Sequence, residues 1–265
     1  MNARKQLLER LRTERAILIT VESTQGSVPR DAGTWMVVFA DNTLATIGGG
    51  KLELDAIAHA RSLLAGASLA SKCRYALGPS LGQCCGGVVC LQFEAISSAD
   101  IPALQQRLCA DHVPVALFGA GHVGLALVTI LGTLPMNVCW IDSRDQIFPD
   151  QVPDTVHCEH SDPVHAAVAS LQPRSRVLIM SFSHAEDLDI VAACLKRQRE
   201  RADLPYVGLI GSKTKWASFR QKLVARGYSE QELAHITCPI GIVGIADKRP
   251  EAIAVAVAAQ ILQVA

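Results

Sequence analysis

The chain has 265 residues, enough for one large domain or two small ones. Its 25 basic and 25 acidic residues cancel, so no net positive field is available to hold a nucleic-acid backbone. Charged residues make up 19% of the chain against a usual share of about a quarter, which leaves ample apolar sequence for a buried core.

In chain order, Leu7, Leu8 and Leu11 share one face and predict an amphipathic helix over residues 3–15. Strands are predicted at Ala16–Glu22, Thr34–Ala40 and Thr43–Ile47, the last two joined by a turn at Asp41-Asn42. Gly48-Gly49-Gly50 leads into a helix at Leu52–Leu64, and further strands read at Lys72–Ala76 and Val88–Glu94. Short strands with tight turns and few helices describe a small, mostly antiparallel α+β domain. The pattern changes at Ser97–Pro102, and residues 101–110 read as a connecting helix.

From Val115 onward, strands alternate with helices. The strands read at Val115–Phe118, Asn137–Ile141, Thr155–Cys158, Val177–Ser181, Tyr206–Ile210 and His235–Cys238. Such alternation predicts an α/β, Rossmann-like doubly wound parallel sheet, with strand order 3-2-1-4-5 over its first five members. The expected division is an α+β domain at 1–98, a connecting segment at 99–112 and the Rossmann-like domain at 113–265. The run Lys196–Arg201 reads as a solvated helix end. Pro250–Ala265 is apolar nearly all round beyond Glu251, so it is expected to be covered between the two domains or at a subunit interface. A homodimer is expected on that ground.

No charged residue occurs from Val113 to Ile141, a stretch longer than the roughly 20 residues of a membrane span. Pro114, Gly119, Gly121, Gly124, Gly132 and Pro135 interrupt it, and in lipid those breaks would leave backbone groups unpaired. The N-terminus carries Arg4, Lys5, Glu9 and Arg10 and lacks the apolar middle of a secretory signal. Nine cysteines, an odd number without a C-x-x-C pair, fit a reducing compartment. A cytoplasmic protein with no membrane and no nucleic-acid partner is expected.

Gly119-Ala120-Gly121-His122-Val123-Gly124 follows a predicted strand and opens a helix, the context in which G-x-G-x-x-G cradles a pyrophosphate. Asp142 ends the next strand about 20 residues on, where an acid accepts a ribose hydroxyl. Ser181–His184 and Gly211–Lys215 follow the fourth and fifth strands of the domain and fall on the same carboxyl edge. There Gly211 and Ser212 offer amides, and Lys213 or Lys215 adds charge for an anion. Ser212 as a simple helix cap with both lysines solvated is the alternative. In the first domain, Gln83-Cys84-Cys85-Gly86-Gly87 sets two thiols in a glycine-flanked turn, where neighbouring amides favour an accessible, nucleophilic sulfur. A buried pair of small residues or a vicinal disulfide would explain the same residues. Gly26–Gly33, carrying Arg30, and Gly48–Gly50, beside Lys51, are further turns able to hold an anion or to serve only the chain's path.

Taken together, these segments resemble the xanthine dehydrogenase accessory protein family (XdhC), within the wider XdhC and CoxI group. The resemblance lies in Gly26–Met36, Ile47–Glu53, Leu77–Gly87, Gly119–Gly124, Trp140–Arg144, Phe148-Pro149, Ser183-His184 with Asp189, Tyr206–Lys215 and Pro239-Ile240-Gly241. It implies a chaperone, not a stand-alone catalyst, that binds molybdenum cofactor (molybdopterin) as cargo. A cysteine desulfurase supplies its terminal sulfur, and the apo large subunit of xanthine dehydrogenase receives it, a step in purine catabolism. On this reading the cofactor lies between the domains. Its phosphate faces Gly119, Gly121, His122 and Gly124, and Cys84 and Cys85 face the molybdenum. Arg30, Gln83, Gly86, Gly87, Asp142, Arg144, Ser183, His184, Gly211, Ser212 and Lys213 complete the expected contacts. Two other readings of the same residues stay open. An NAD(P)-dependent oxidoreductase would use Gly119, Gly121, Gly124 and Asp142, with His122 or His184 as its only activating groups. A thiol-based metal or redox module would centre on Cys84-Cys85.

Overall fold

The computed structural model describes residues 3–78, 86–108 and 112–264. The chain divides into two compact units, Met1–Ala110 and Asp111–Ala265.

The first unit comprises α1 (Ala3–Arg10), β1 (Ala16–Gln25), β2 (Trp35–Val38), β3 (Thr43–Ala45), α2 (Gly50–Leu64), β4 (Lys72–Ala76), β5 (Val88–Ile96) and α3 (Ile101–Arg107). Its five strands form one sheet in the order β3-β2-β1-β5-β4, with every pairing antiparallel. The two-residue period of β1 separates two cores. Ile17, Ile19 and Val21 pack with Leu52, Ala56 and Ala60 of α2, while Ala16 and Leu18 pack with Leu7, Leu11 and Leu104. Helix α1 stops at Arg10, short of the expected residue 15, where the Arg10 guanidinium turns to Glu14 and Asp41.

The second unit comprises β6 (Val113–Phe118), α4 (His122–Leu131), β7 (Met136–Asp142), β8 (Val156–His160), β9 (Arg176–Ile179), α5 (His184–Arg201), β10 (Tyr206–Leu209), α6 (Lys213–Ala225), α7 (Glu230–Leu233), β11 (Ile236–Thr237) and α8 (Pro250–Leu262). The six strands are all parallel and run β11-β10-β9-β6-β7-β8, with a 3-10 segment at Val164–Ser170 between β8 and β9. Counted within the unit this is 6-5-4-1-2-3, the doubly wound order, in which the path reverses between β6 and β9. Residues Val115–Phe118 are buried on both faces, as a central parallel strand requires. One face packs under α5 and α6, the other under α4 and α8.

Two elements differ from what the sequence suggests. Helix α8 covers its own sheet: Ala254, Val257, Ala258 and Ile261 join Leu127, Val128 and Leu131 of α4 in one core. Alanines along that face let the two helices approach closely, so one stripe of α8 is satisfied within the unit. Arg197, the second residue of the supposed solvated run, is only 4% exposed. Its guanidinium holds Asp203 and donates to the carbonyls of Val168 and Leu171, tying α5 to the 3-10 segment. Among the described residues, no helix is long and apolar enough to cross a membrane.

Candidate functional site

The turn after β6 gives its three glycines three different duties. Gly119 sits at φ +112°, and a Cβ there would lie 2.0 Å from the Met180 carbonyl oxygen. A Cβ on Gly124 would lie 2.2 Å from the Gly119 carbonyl oxygen, so this glycine lets α4 close onto the turn. A Cβ on Gly121 would meet nothing within 4 Å. Two glycines are therefore fixed by packing, and the middle one borders open space where a ligand can approach the backbone. Gly121 is also the N-cap of α4 and provides no side-chain cap, which leaves the first helical amides available to an anion. His122, the first residue of the helix, is exposed.

Asp142 braces this turn from beneath. It is 2% exposed, and its Oδ2 accepts from the Ala120 amide at 2.6 Å. Arg144 donates to it from Nε and Nη2, both at 2.9 Å, and from its backbone amide. Burial pushes the Asp142 carboxyl upward, but hydrogen bonds from the Arg144 side chain and from the Arg144 and Ala120 amides prevail and hold it below its ordinary value. Both carboxylate oxygens accept hydrogen bonds within the protein, so Asp142 organises the turn. Arg144 keeps a partly exposed side chain, and its guanidinium lies 4.9 Å from the ring centroid of Phe182, which is 69% exposed.

The loops after β9 and β10 are joined by a buried ion pair. Asp187 Oδ1 accepts from the Ser181 amide and hydroxyl, and its Oδ2 meets Lys215 Nζ at 2.6 Å. Lys215 also donates to the Ile210 carbonyl. Ser183 and Ser212 are the N-caps of α5 and α6, accepting from the Glu186 and Lys215 amides. Lys213 is exposed, as are His184 and Gly211, and the His184 ring lies edge-on to Phe219 at 6.4 Å. Ser143 donates to Glu186 at 2.6 Å, linking the loop after β7 to α5. At this edge Ser212 is a cap, as the alternative had it, while Lys215 is held inward instead of being solvated. Reasoning from sequence named Lys215 only as an alternative to Lys213 and gave Glu186 no part in the site. The sole available signal was the acid-rich first turn of α5, and that marks many helix starts.

In the first unit, two glycines seat the turn that carries Arg30. A Cβ on Gly87 would lie 2.4 Å from the Ser27 carbonyl oxygen, and one on Gly48 would lie 2.7 Å from Pro29. Segments 26–30, 48 and 87 thus meet in one place, with Arg30 and Gly86 exposed beside them. The Gly48–Gly50 turn is not open to a ligand anion, since Glu53 already accepts from the Ile47 and Gly49 amides. Gln83, Cys84 and Cys85 lie outside the described residues. Among the described residues, no group of three or more His, Cys, Asp or Glu is placed to hold a metal ion.

Comparison with known proteins accords with this architecture. Residues 115–261 match the XdhC Rossmann domain, and residues 10–75 match the XdhC and CoxI family. The uncharacterized protein YqeB of Escherichia coli (strain K12) is 25% identical over 252 residues, covering 92% of this chain and 42% of YqeB. The chain thus spans less than half the length of that curated relative. A crystal structure described as a xanthine dehydrogenase from Bacillus halodurans superposes with a TM-score of 0.78 at 20% identity, over 100% of this chain and 96% of the other, which supports the fold. With more than half of its length matched by the Rossmann-domain description alone, the chain belongs to the XdhC and CoxI family.

Proposed function

We propose that this chain is a cytoplasmic accessory protein that binds molybdenum cofactor as cargo, supports its sulfuration by a cysteine desulfurase and delivers it to the apo large subunit of xanthine dehydrogenase. The turn at Gly119–Gly124 carries the reading. Its middle glycine is open, its helix start lacks a side-chain cap, and Arg144 stands beside it on a buried acid. A phosphate fits such a cradle, because free amides and a fixed guanidinium are its preferred partners. Exposed Phe182 supplies an aromatic face for a planar pterin. We assign His122, Ser183, His184, Gly211, Ser212 and Lys213 to the rim of the cargo site. Arg30, Gln83, Gly86 and Gly87 are further contacts, with Cys84 and Cys85 as the thiols for the metal, a soft-ligand match for molybdenum–sulfur chemistry. Exposed Val255 and Leu262 on α8 and Leu125 on α4 support a homodimer.

The test is reconstitution. Cofactor released from a molybdenum hydroxylase is mixed with apo xanthine dehydrogenase, with and without this protein. Higher dehydrogenase activity in its presence is expected, and Gly121→Ala should reduce that gain without unfolding the chain. An equal yield with and without the protein contradicts the proposal.

A further inference from the structure

The second unit has a cavity of about 530 Å³ lined by the amino-terminal parts of β6 and β7 and by β8 as far as Glu159, near that strand's carboxyl end. The phosphate turn follows the carboxyl end of β6, and none of its residues, 119–124, lines the cavity. The cavity is thus a different place from the cargo site. Its size falls within the range of small-molecule pockets and far exceeds the volume of one water.

Its lining combines apolar walls with anionic and hydrogen-bonding groups on one face. Thr155, His157 and Glu159 follow the two-residue period of β8 and its approach, beside Cys139 of β7. The Thr155 residue is 9% exposed, and its hydroxyl oxygen is buried without a hydrogen-bond partner among the described residues. A buried, unsatisfied hydroxyl costs free energy unless something in the cavity meets it. Glu159 Oε2 accepts from the Cys139 thiol at 3.3 Å. Burial, followed by the hydrogen bond and charge of Glu159, pushes that thiol up to about 12, so it stays protonated as a donor. The thiol is a weak, neutral partner, and among the described residues no lysine or arginine pairs with Glu159. His157 also lines the cavity, and no lysine or arginine is among its described lining residues.

We infer that this cavity is a binding site for a small organic cation, an amine or guanidinium with an apolar body, held by Glu159 and by the Thr155 hydroxyl. A carboxylate beside a half-enclosed apolar wall favours a charged donor over a neutral one of equal shape. Val115, Val138 and Leu171 would cover its hydrocarbon part. The inference goes beyond the cofactor-delivery role and does not depend on it.

Agmatine and the neutral N-butylurea are the probes, titrated into the full-length protein by calorimetry, with amide NMR shifts to locate binding. Agmatine should bind saturably, with shifts centred on residues 137–139, 155–159 and 170–175, and at least about tenfold tighter than N-butylurea. Glu159→Gln should weaken it about tenfold and Thr155→Val several-fold, with circular dichroism unchanged. Thr155→Ser, which keeps the hydroxyl, should bind as the parent does. Equal affinity for the neutral probe, shifts elsewhere, no saturation by about 10 mM, or indifference to Glu159→Gln each overturns the inference.

Discussion

Gly119 and Gly121 stand two residues apart and predict opposite phenotypes. Gly119→Ala places a methyl against the Met180 backbone at a positive φ, and the strand end cannot yield. A loss of about 2 kcal/mol or more is expected in chemical denaturation. Gly121→Ala meets open space and should leave stability within about 0.5 kcal/mol while weakening phosphate-bearing ligands. Asp142 makes a separate prediction. Its carboxyl is held below the unfolded value of about 3.9, so its contribution is complete above that pH and fades as pH falls through the depressed native value. Asp142→Asn should therefore flatten the acid limb of a stability-versus-pH curve, and an unchanged limb would show that other carboxylates carry it. The glycine pattern was legible in the sequence because sterics attach to residue type. The closure of Asp142 by Arg144 was not, because spacing shows that an acid ends a strand but not which donor fills it.

Two helix starts, those of α5 and α6, are locked by one buried pair from residues 28 positions apart. Removing only the cation, by Lys215→Met, leaves Asp187 charged and supported by Ser181 alone, at an expected cost of about 3 kcal/mol. Adding Asp187→Asn should recover part of that loss, and strictly additive effects in the double-mutant cycle would show that the pair is not coupled. Sequence reasoning favoured Lys213 over Lys215, since either follows Ser212. Only the arrival of α5 beside α6 turns the second lysine inward. Helix α8 teaches the same point. Its apolar circumference announced that it must be covered, while the cover itself, α4 of the same unit, depends on the sheet order. That order was readable from strand–helix alternation, which admits few chiral solutions. The Gly48–Gly50 turn was open to either an anion-binding or a purely structural reading, and Glu53 of the following helix accepts from its Gly49 amide.

Both units have cores of their own, and the parallel sheet is buried on both faces by helices from its own segment. Residues 111–265 expressed alone should unfold in a single cooperative transition and retain affinity for phosphate. A non-cooperative melt would show that the first unit is needed to complete it. Light scattering of the full chain should return twice the chain mass if α8 and α4 support a homodimer, and a monomer mass would remove that proposal. The cargo reading itself is settled by mixing the purified protein anaerobically with released molybdenum cofactor, separating the two by gel filtration and measuring oxidised pterin fluorescence in the protein peak. Stoichiometric pterin that survives excess NADH and falls in Gly121→Ala is the predicted result. Pterin eluting free, or displaced by NADH, would contradict it.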